Sequence, residues 1–272
     1  SKLTDDDPIL VEALSLIKED GWGAVLLQGA PGTGKTWYAR EIAIKITDGD
    51  RQRVREIQFH PSYQYEDFVE GYVPKGSAGF ALRDKHLLEM IEVAQHTDGY
   101  VVLVIDEFSR TDPARVLGET LTYMETSLRG VPFSLPSGRT VSIPPNLLFL
   151  ATMNPEDRSV DEIDAAMDRR WAKITLNPDG DMLRMFLTSN GASGPVIGAA
   201  ISLFEGLQKH LEIGHAFFRN VRDSSSLRRL WQNQLQHVVR KRFRFDLGTQ
   251  KEIEDLWAGC LETLSKEPGP TN

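Results

Sequence analysis

Eight consecutive residues near the start of the chain have the types and spacing that bind a polyphosphate. They read Gly-Ala-Pro-Gly-Thr-Gly-Lys-Thr over residues 29–36 and match the pattern G-x-x-x-x-G-K-[ST]. An apolar run over 24–27 precedes them and a helical pattern over 37–44 follows, which are the strand and helix such a loop requires. Glycines let backbone N–H groups turn inward, and the helix N-terminus behind them adds positive partial charge. The stretch predicts a nucleotide site, the alternative being an ordinary glycine-rich turn.

Within this loop, each residue type has a role that its chemistry suggests. Lys35 is expected to reach the β- and γ-phosphates of a nucleotide, and the Thr36 hydroxyl to ligate Mg²⁺. The residues that we assign to nucleotide binding are Gly29, Ala30, Pro31, Gly32, Thr33, Gly34, Lys35, Thr36 and Trp37.

Two adjacent carboxylates follow the most apolar run of the chain, Val101–Ile105. A run without polar residues is typical of a central strand in a parallel sheet. At its end, Asp106 is expected to hold Mg²⁺ and Glu107 to polarise the attacking water. The alternative is a pair of solvated carboxylates that closes a buried strand.

Asn154 ends the next predicted strand, Asn146–Thr152. Its amide can orient the attacking water or contact the γ-phosphate. The alternative is a turn-forming Asn-Pro pair.

Three further residues and one basic run are candidates with open alternatives. Arg169 or Arg170 can stabilise charge on a neighbouring subunit's phosphate, or can simply cap the C-terminus of a predicted helix, Asp161–Arg169. His215 can contact the nucleotide or be a structural histidine of the core. The basic run Arg240–Arg244 can contact nucleic acid but is more typical of a solvated helix end.

Composition sets broad limits on the function. The net charge of −8 argues against a generally basic nucleic-acid-binding surface. Cys260 is the single cysteine, so the chain has no internal disulfide, and a cytoplasmic location fits. No apolar run is long enough for a membrane span, and we expect no membrane contact.

The order of elements predicts the architecture. Five strands alternate with helices over 24–176, which indicates an α/β fold with a five-stranded parallel sheet. Insertions with hairpin character are expected near 70–82 and 131–145, and one helix over Pro113–Ser127. After Asn177 the patterns are helical only. We therefore predict an α/β nucleotide-binding core over 1–177 and an all-helical lid over 178–272.

These landmarks occur in the order found in AAA+ P-loop NTPases, and four stretches narrow the resemblance to McrB-type motors. The segment His60–Tyr72 resembles H-x-S-Y-x-Y-E-D-F-x-x-G-Y, and Met153–Ser159 resembles M-N-T-A-D-R-S with Pro-Glu in place of Thr-Ala. Asp164–Trp171 is similar to D-x-A-L-R-R-R-F, and Ile213–Phe218 to I-G-H-S-Y-F. Residues 106–110 read Asp-Glu-Phe-Ser-Arg where D-E-I-N-R is common.

The resemblance implies a ring-forming motor, expected to be hexameric, that hydrolyses GTP (ATP being the alternative) with Mg²⁺. It also implies a McrC-like nuclease partner, and DNA contact through the pore or through an N-terminal module that this sequence lacks. The chain itself is not expected to be a nuclease. The alternative function is that of a MoxR-like ATPase, a scaffold or chaperone that remodels proteins rather than DNA.

Overall fold

The computed structural model describes residues 3–76, 79–156 and 169–265. The chain divides into two compact units. The first contains residues 1–29 and 35–176, and the second contains residues 177–272 together with the short loop Ala30–Gly34. The sequence-based boundary after Asn177 stays a prediction about domains, because compactness alone does not show that the two units act separately.

A five-stranded sheet forms the centre of the first unit, and the strand pairs within it are all parallel. Its strands are β1 Ala24–Gly29, β2 Val54–Gln58, β5 Val101–Asp106, β8 Leu147–Met153 and β9 Ala172–Leu176. Across the sheet they lie in the order β2-β5-β8-β1-β9. The predicted α/β fold with five parallel strands is therefore confirmed.

Alternate residues of the central strands face two separate apolar cores. In β5, for example, Leu103 and Ile105 belong to one core while Val102 and Val104 belong to the other. All of these side chains are fully buried. This two-sided burial explains why the strand is apolar throughout, since it has no face in contact with water.

Short helices cover both faces of this sheet. They are α1 Pro8–Lys18, α2 Lys35–Ile46, α3 Tyr65–Phe68, α4 His86–Gln95, α5 Pro113–Leu117 and α6 Thr120–Tyr123. The prediction of one helix over Pro113–Ser127 was wrong. Gly118 has a φ of 53° and interrupts the helix after Leu117. A residue in this left-handed region cannot continue a right-handed helix, and glycine adopts it at low cost.

Two antiparallel hairpins occupy the predicted insertions. The first pairs β3 Glu70–Pro74 with β4 Phe80–Asp84, and the second pairs β6 Phe133–Ser134 with β7 Thr140–Val141. Arg139 lies in the turn region of the second hairpin and forms ion pairs with Glu70 and Asp84 at the base of the first. Glu70 is buried, so this arginine neutralises a carboxylate that would otherwise destabilise the fold.

Arg129 was not predicted to matter, yet it joins the beginnings of two central strands. Its guanidinium donates to the Gly23 carbonyl at 3.0 Å and to the Leu147 carbonyl at 2.6 Å. It also lies over the ring of Phe149, at 5.1 Å from the centroid. Burial lowers its pKa to about 10, and it stays charged at neutral pH.

The second unit is helical. Its helices are α7 Gly180–Ser189, α8 Gly194–Gln208, α9 Ser224–Leu230, α10 Gln236–Arg242 and α11 Leu247–Ser265. A π-helical turn, Trp231–Leu235, joins α9 to α10. α8 packs against α11, where a side chain at Gly206 would overlap Leu256.

The predicted helix Asp161–Arg169 lies almost wholly outside the described residues. Among the helices that are described, none is both long and apolar enough to cross a membrane.

Candidate nucleotide-binding and hydrolysis site

Three predicted site residues lie at one edge of the sheet. Gly29 ends β1 and Asp106 ends β5, while Asn154 directly follows β8. Because β8 lies between β5 and β1 and all three are parallel, their carboxyl ends meet at the same edge. This edge is where open α/β sheets bind ligands.

Lys35 and Thr36 open helix α2 beside this edge. The Thr36 hydroxyl donates to Oδ1 of Asp106 at 2.9 Å, and Lys35 Nζ donates to the Gly29 carbonyl at 2.8 Å. A hydroxyl held by a carboxylate in this way keeps its oxygen lone pairs for a cation, so the pair suits Mg²⁺. Among the described residues, no three His, Cys, Asp or Glu side chains converge to hold a metal. One hydroxyl and one carboxylate fit a Mg²⁺ ion whose other ligands are nucleotide phosphates and water.

Glu107 leaves the strand with an unusual backbone conformation. Its φ is 55° and its ψ is 44°, a left-handed geometry that costs a residue other than glycine about 1–2 kcal/mol. Adjacent strand residues point to opposite faces, and this turn removes Glu107 from that alternation. Its carboxylate accepts a hydrogen bond from Arg110 Nε at 2.9 Å and remains about one third exposed.

Thr152, in β8, contacts both acidic residues. Its hydroxyl donates to Oδ1 of Asp106 at 2.5 Å and accepts a hydrogen bond from the backbone N–H of Glu107 at 3.1 Å. From the sequence, Thr152 is predicted only as part of a strand. The available signal was a hydroxyl within the otherwise apolar run Leu147–Met153.

Asn154 is partly buried, and its side-chain oxygen accepts a hydrogen bond from the backbone N–H of Glu156 at 3.2 Å. This contact fits the turn-forming alternative. Its place at the strand edge also fits the predicted contact with water or phosphate, so that role stays a prediction.

The phosphate loop Ala30–Gly34 belongs to the second unit. Gly32 and Gly34 have φ values of 80° and 89°, which are the left-handed conformations that the motif's glycines permit. Within the loop, the Thr33 hydroxyl donates to the Ala30 carbonyl at 2.9 Å.

A segment of the helical unit holds this loop through backbone groups. The N–H of Gly214 donates to the Pro31 carbonyl at 2.8 Å, and the N–H of Ala216 donates to the Gly32 carbonyl at 2.9 Å. A Cβ on Gly214 would lie 1.8–2.2 Å from backbone atoms of Gly32 and Thr33, a distance that no side chain tolerates. Carbonyls occupied in this way cannot turn toward a bound anion, which they would repel.

His215 lies in this segment, but its side chain is directed into the helical unit. Its Nδ1 accepts a hydrogen bond from the Asp179 N–H at 3.3 Å, and its ring is tilted against Phe186 at 5.7 Å. Burial lowers its pKa below 6.5, and Asp179 partly offsets that shift. These contacts fit the structural alternative, and a role for His215 in nucleotide binding stays a prediction.

Arg169 and Arg170 are not at the edge occupied by Asp106. They immediately precede Trp171 and β9, so they lie where the parallel strands begin rather than where they end. At about 3.3 Å per residue, the length of β9 is on the order of 16 Å. Arg169 is exposed and Arg170 is partly buried.

Trp37, on α2, is partly buried and meets Tyr38 edge to face.

A family profile for the AAA domain, dynein-related subfamily, matches residues 24–171. That range is more than half of the chain and includes the phosphate loop, β5 and β8. The chain therefore belongs to the AAA domain family, and this α/β unit is a P-loop NTPase domain.

Three curated proteins show similarity to the chain. The chain is 31% identical, over 78% of its length, to the type IV methyl-directed restriction enzyme EcoKMcrB subunit of Escherichia coli. It is 23% identical over 54% to the type II restriction enzyme BsuMI component YdiS of Bacillus subtilis. It is also 28% identical over 57% to a pachytene checkpoint protein 2 homolog of Danio rerio. It spans 50%, 55% and 35% of these relatives, respectively.

The resemblance to McrB-type motors that the sequence motifs predicted is thus confirmed. Within the AAA family, the chain is similar to a McrB subunit over 78% of its own length.

Proposed function

We propose that the chain hydrolyses a nucleoside triphosphate, with GTP preferred to ATP, as the motor of a restriction system that acts on modified DNA. The observation that carries this proposal is the hydrogen bond between the Thr36 hydroxyl and Asp106 beside Glu107. It joins the phosphate-binding motif to the carboxylates that hydrolysis requires. The similarity to two restriction-enzyme components favours a restriction system over the protein-remodelling alternative.

Each residue then has a defined task. The N–H groups of Ala30–Gly34 bind phosphate oxygens, and Lys35 leaves the Gly29 carbonyl to neutralise the β- and γ-phosphates. Thr36 and Asp106 hold Mg²⁺, which supplies charge neutralisation when bound. Glu107 accepts a proton from the attacking water, and Asn154 orients that water.

Arg169 and Arg170 act in trans in this proposal. Their distance from the carboxyl ends of the strands supports a contact with the phosphates of a neighbouring subunit in a ring, expected to be hexameric. An arginine supplied in trans can raise the rate about a thousandfold or more. Hydrolysis is then limited to assembled subunits.

The remaining parts of the proposal concern partners. A McrC-like nuclease subunit cuts the DNA, because this chain supplies the motor and not the nuclease. DNA is contacted through the pore or through a separate recognition module. The proposed location is the cytoplasm.

A turnover assay with GTP and ATP side by side tests the proposal. We expect GTP to have the higher kcat/KM and Mg²⁺ to be required. We also expect a McrC-like nuclease partner or DNA to raise the rate. A preference for ATP with no response to DNA or nuclease would favour the protein-remodelling alternative. Turnover of neither nucleotide would contradict the proposed function.

Mixed rings test the arginines. An Arg169→Ala, Arg170→Ala double variant keeps its phosphate loop, while Lys35→Ala keeps its arginines. A mixture of the two should recover activity that neither shows alone, because some sites receive both parts. Normal turnover by the arginine variant when dilute and monomeric would show that the arginines only cap a helix.

A further inference from the structure

Thr152 is a buried hydroxyl in a strand that is otherwise apolar. It is 2% exposed and lies one residue before the end of β8, between β5 and β1. A buried hydroxyl is unfavourable unless it forms hydrogen bonds, and valine would fill the same volume without that cost. The contacts that the hydroxyl makes therefore point to its function.

Those contacts are with the two acidic residues of the proposed site. As donor, the hydroxyl binds Asp106 Oδ1 at 2.5 Å; as acceptor, it binds the Glu107 N–H at 3.1 Å. One side chain thus holds the carboxylate of one residue and the backbone of the next. A hydroxyl has one proton to donate and two lone pairs to accept with, which is what this bridge needs.

Asp106 is held from a second direction as well. Its Oδ1 accepts hydrogen bonds from both Thr152 and Thr36, which lie on β8 and α2. Two donors on one oxygen fix the rotation of the carboxylate. In that fixed orientation, Asp106 would hold a Mg²⁺ ion or its bound water.

Glu107 needs such a contact because its backbone is left-handed. The hydrogen bond from its N–H to Thr152 stabilises the turn that carries its carboxylate out of the alternation of β5. Loss of this bond would let the peptide relax, and the carboxylate would move relative to Asp106.

We propose that Thr152 is a positioning residue that fixes Asp106 and Glu107 relative to each other for Mg²⁺-dependent hydrolysis, without contacting the nucleotide. This inference rests on the proposed function and adds a residue to its machinery. It separates two quantities: nucleotide affinity without metal, which Thr152 should not affect, and Mg²⁺-dependent turnover, which it should control.

The test uses the full chain with Thr152→Val, which removes the hydroxyl and keeps the shape. Positioning a general base is worth on the order of a hundredfold in rate. We expect kcat to fall by roughly that factor and half-maximal turnover to need more Mg²⁺. Affinity for a fluorescent (mant) derivative of GTP or ATP in EDTA should stay within about twofold, since the predicted phosphate contacts are unchanged. Thr47→Val is the matched control, because Thr47 is also fully buried but directly follows α2 and donates to the Ala43 carbonyl of that helix.

A second pair of variants keeps the test decisive if the valine variant does not fold. Thr152→Ser and Thr152→Ala both lose the methyl group and differ only in the hydroxyl. We expect serine to keep most of the turnover and the wild-type Mg²⁺ requirement. Alanine should lose turnover and need more Mg²⁺, as valine does. Equal behaviour of serine and alanine would overturn the inference.

The outcomes for wild type separate this inference from the proposed function. If wild type turns over nucleotide and the valine variant matches it in kcat and Mg²⁺ requirement, the inference alone fails. If wild type hydrolyses neither GTP nor ATP, the proposed function fails and the inference fails with it.

Discussion

The end of β5 and the phosphate loop are held in place by different kinds of hydrogen bond. At the end of β5, the side-chain hydroxyls of Thr36 and Thr152 hold the Asp106 carboxylate. In the phosphate loop, the carbonyls of Pro31 and Gly32 are held by backbone N–H groups of the helical unit.

This difference indicates how each region responds to substitution. A side-chain hydroxyl can be removed without a change in the backbone, so the carboxylates can be displaced slightly and the fold kept. A backbone contact is lost only when the chain itself moves. We therefore expect changes at the end of β5 to alter turnover, and changes at the phosphate loop or its support to alter binding.

The largest effect is expected for Lys35→Ala. The substitution removes the cation that the loop directs to the β- and γ-phosphates, and binding of mant-GTP and mant-ATP should be lost. Lys45→Ala is the control, since Lys45 lies on the same helix and pairs with the exposed Asp5. A titration in which Lys35→Ala binds nearly as well as wild type would contradict the assignment of the loop.

A smaller loss of binding is expected for Gly214→Ala. The new Cβ would overlap the backbone of Gly32 and Thr33, and overpacking of this kind costs about 1–3 kcal/mol. That range corresponds to a loss of affinity of roughly 5- to 150-fold if only the phosphate loop moves to relieve the overlap. Gly198→Ala is the control, because nothing lies within 4 Å of its Cβ position. Unchanged affinity in Gly214→Ala would show that the backbone contacts do not support the loop.

Arg110→Ala is expected to act on turnover and only modestly. Arg110 pairs with Glu107 at 2.9 Å, and both side chains are at least one third exposed. Such pairs are worth about 0–1 kcal/mol and are screened by salt. Freeing the carboxylate should raise the basal rate up to about fivefold at low salt and less at high salt. Arg115→Ala, on an exposed face of α5, is the control. A strong fall in turnover would instead make Arg110 part of the hydrolytic machinery.

The phosphate loop and the acidic pair could be predicted because each is a local pattern. The support of each pattern could not be predicted, because it comes from residues that are distant in sequence. Thr152 meets Asp106 only because β8 lies beside β5 in the sheet. Gly214 meets Pro31 across most of the chain.

Two further features depend on conformation and packing that residue types do not reveal. The sequence around Gly118 has helical spacing, but a positive φ at that glycine ends α5. A histidine such as His215 can contact a nucleotide, and the sequence alone suggests that role. The contacts of His215 with Asp179 and Phe186 depend on the packing of the helical unit, which the sequence does not show.

The smallest effect is expected on the pH dependence of the free energy of unfolding, through His215. Its pKa is lowered by burial, so the unfolded chain binds a proton more readily than the folded one. The stability that neutral His215 contributes is fully present above about pH 6.5, the pKa of histidine in the unfolded chain. That contribution is lost as the pH falls below this value. His215→Asn keeps an acceptor for the Asp179 N–H and removes the titration. Its free energy of unfolding should therefore decrease less than that of wild type between about pH 7.5 and 5.5. An identical decrease in both proteins would contradict the conclusion that His215 is buried and neutral in the folded protein.

The central claim is that the end of β5 governs turnover and the phosphate loop governs binding. Glu107→Gln tests it most directly, with Kd and kcat measured on the same preparation. We expect kcat to fall about a hundredfold or more, because the amide is no base, while Kd stays within about threefold of wild type. Glu92→Gln, on the exposed side of α4, should change neither. A Glu107→Gln protein that still hydrolyses at the wild-type rate, or that loses affinity as much as rate, would contradict the account.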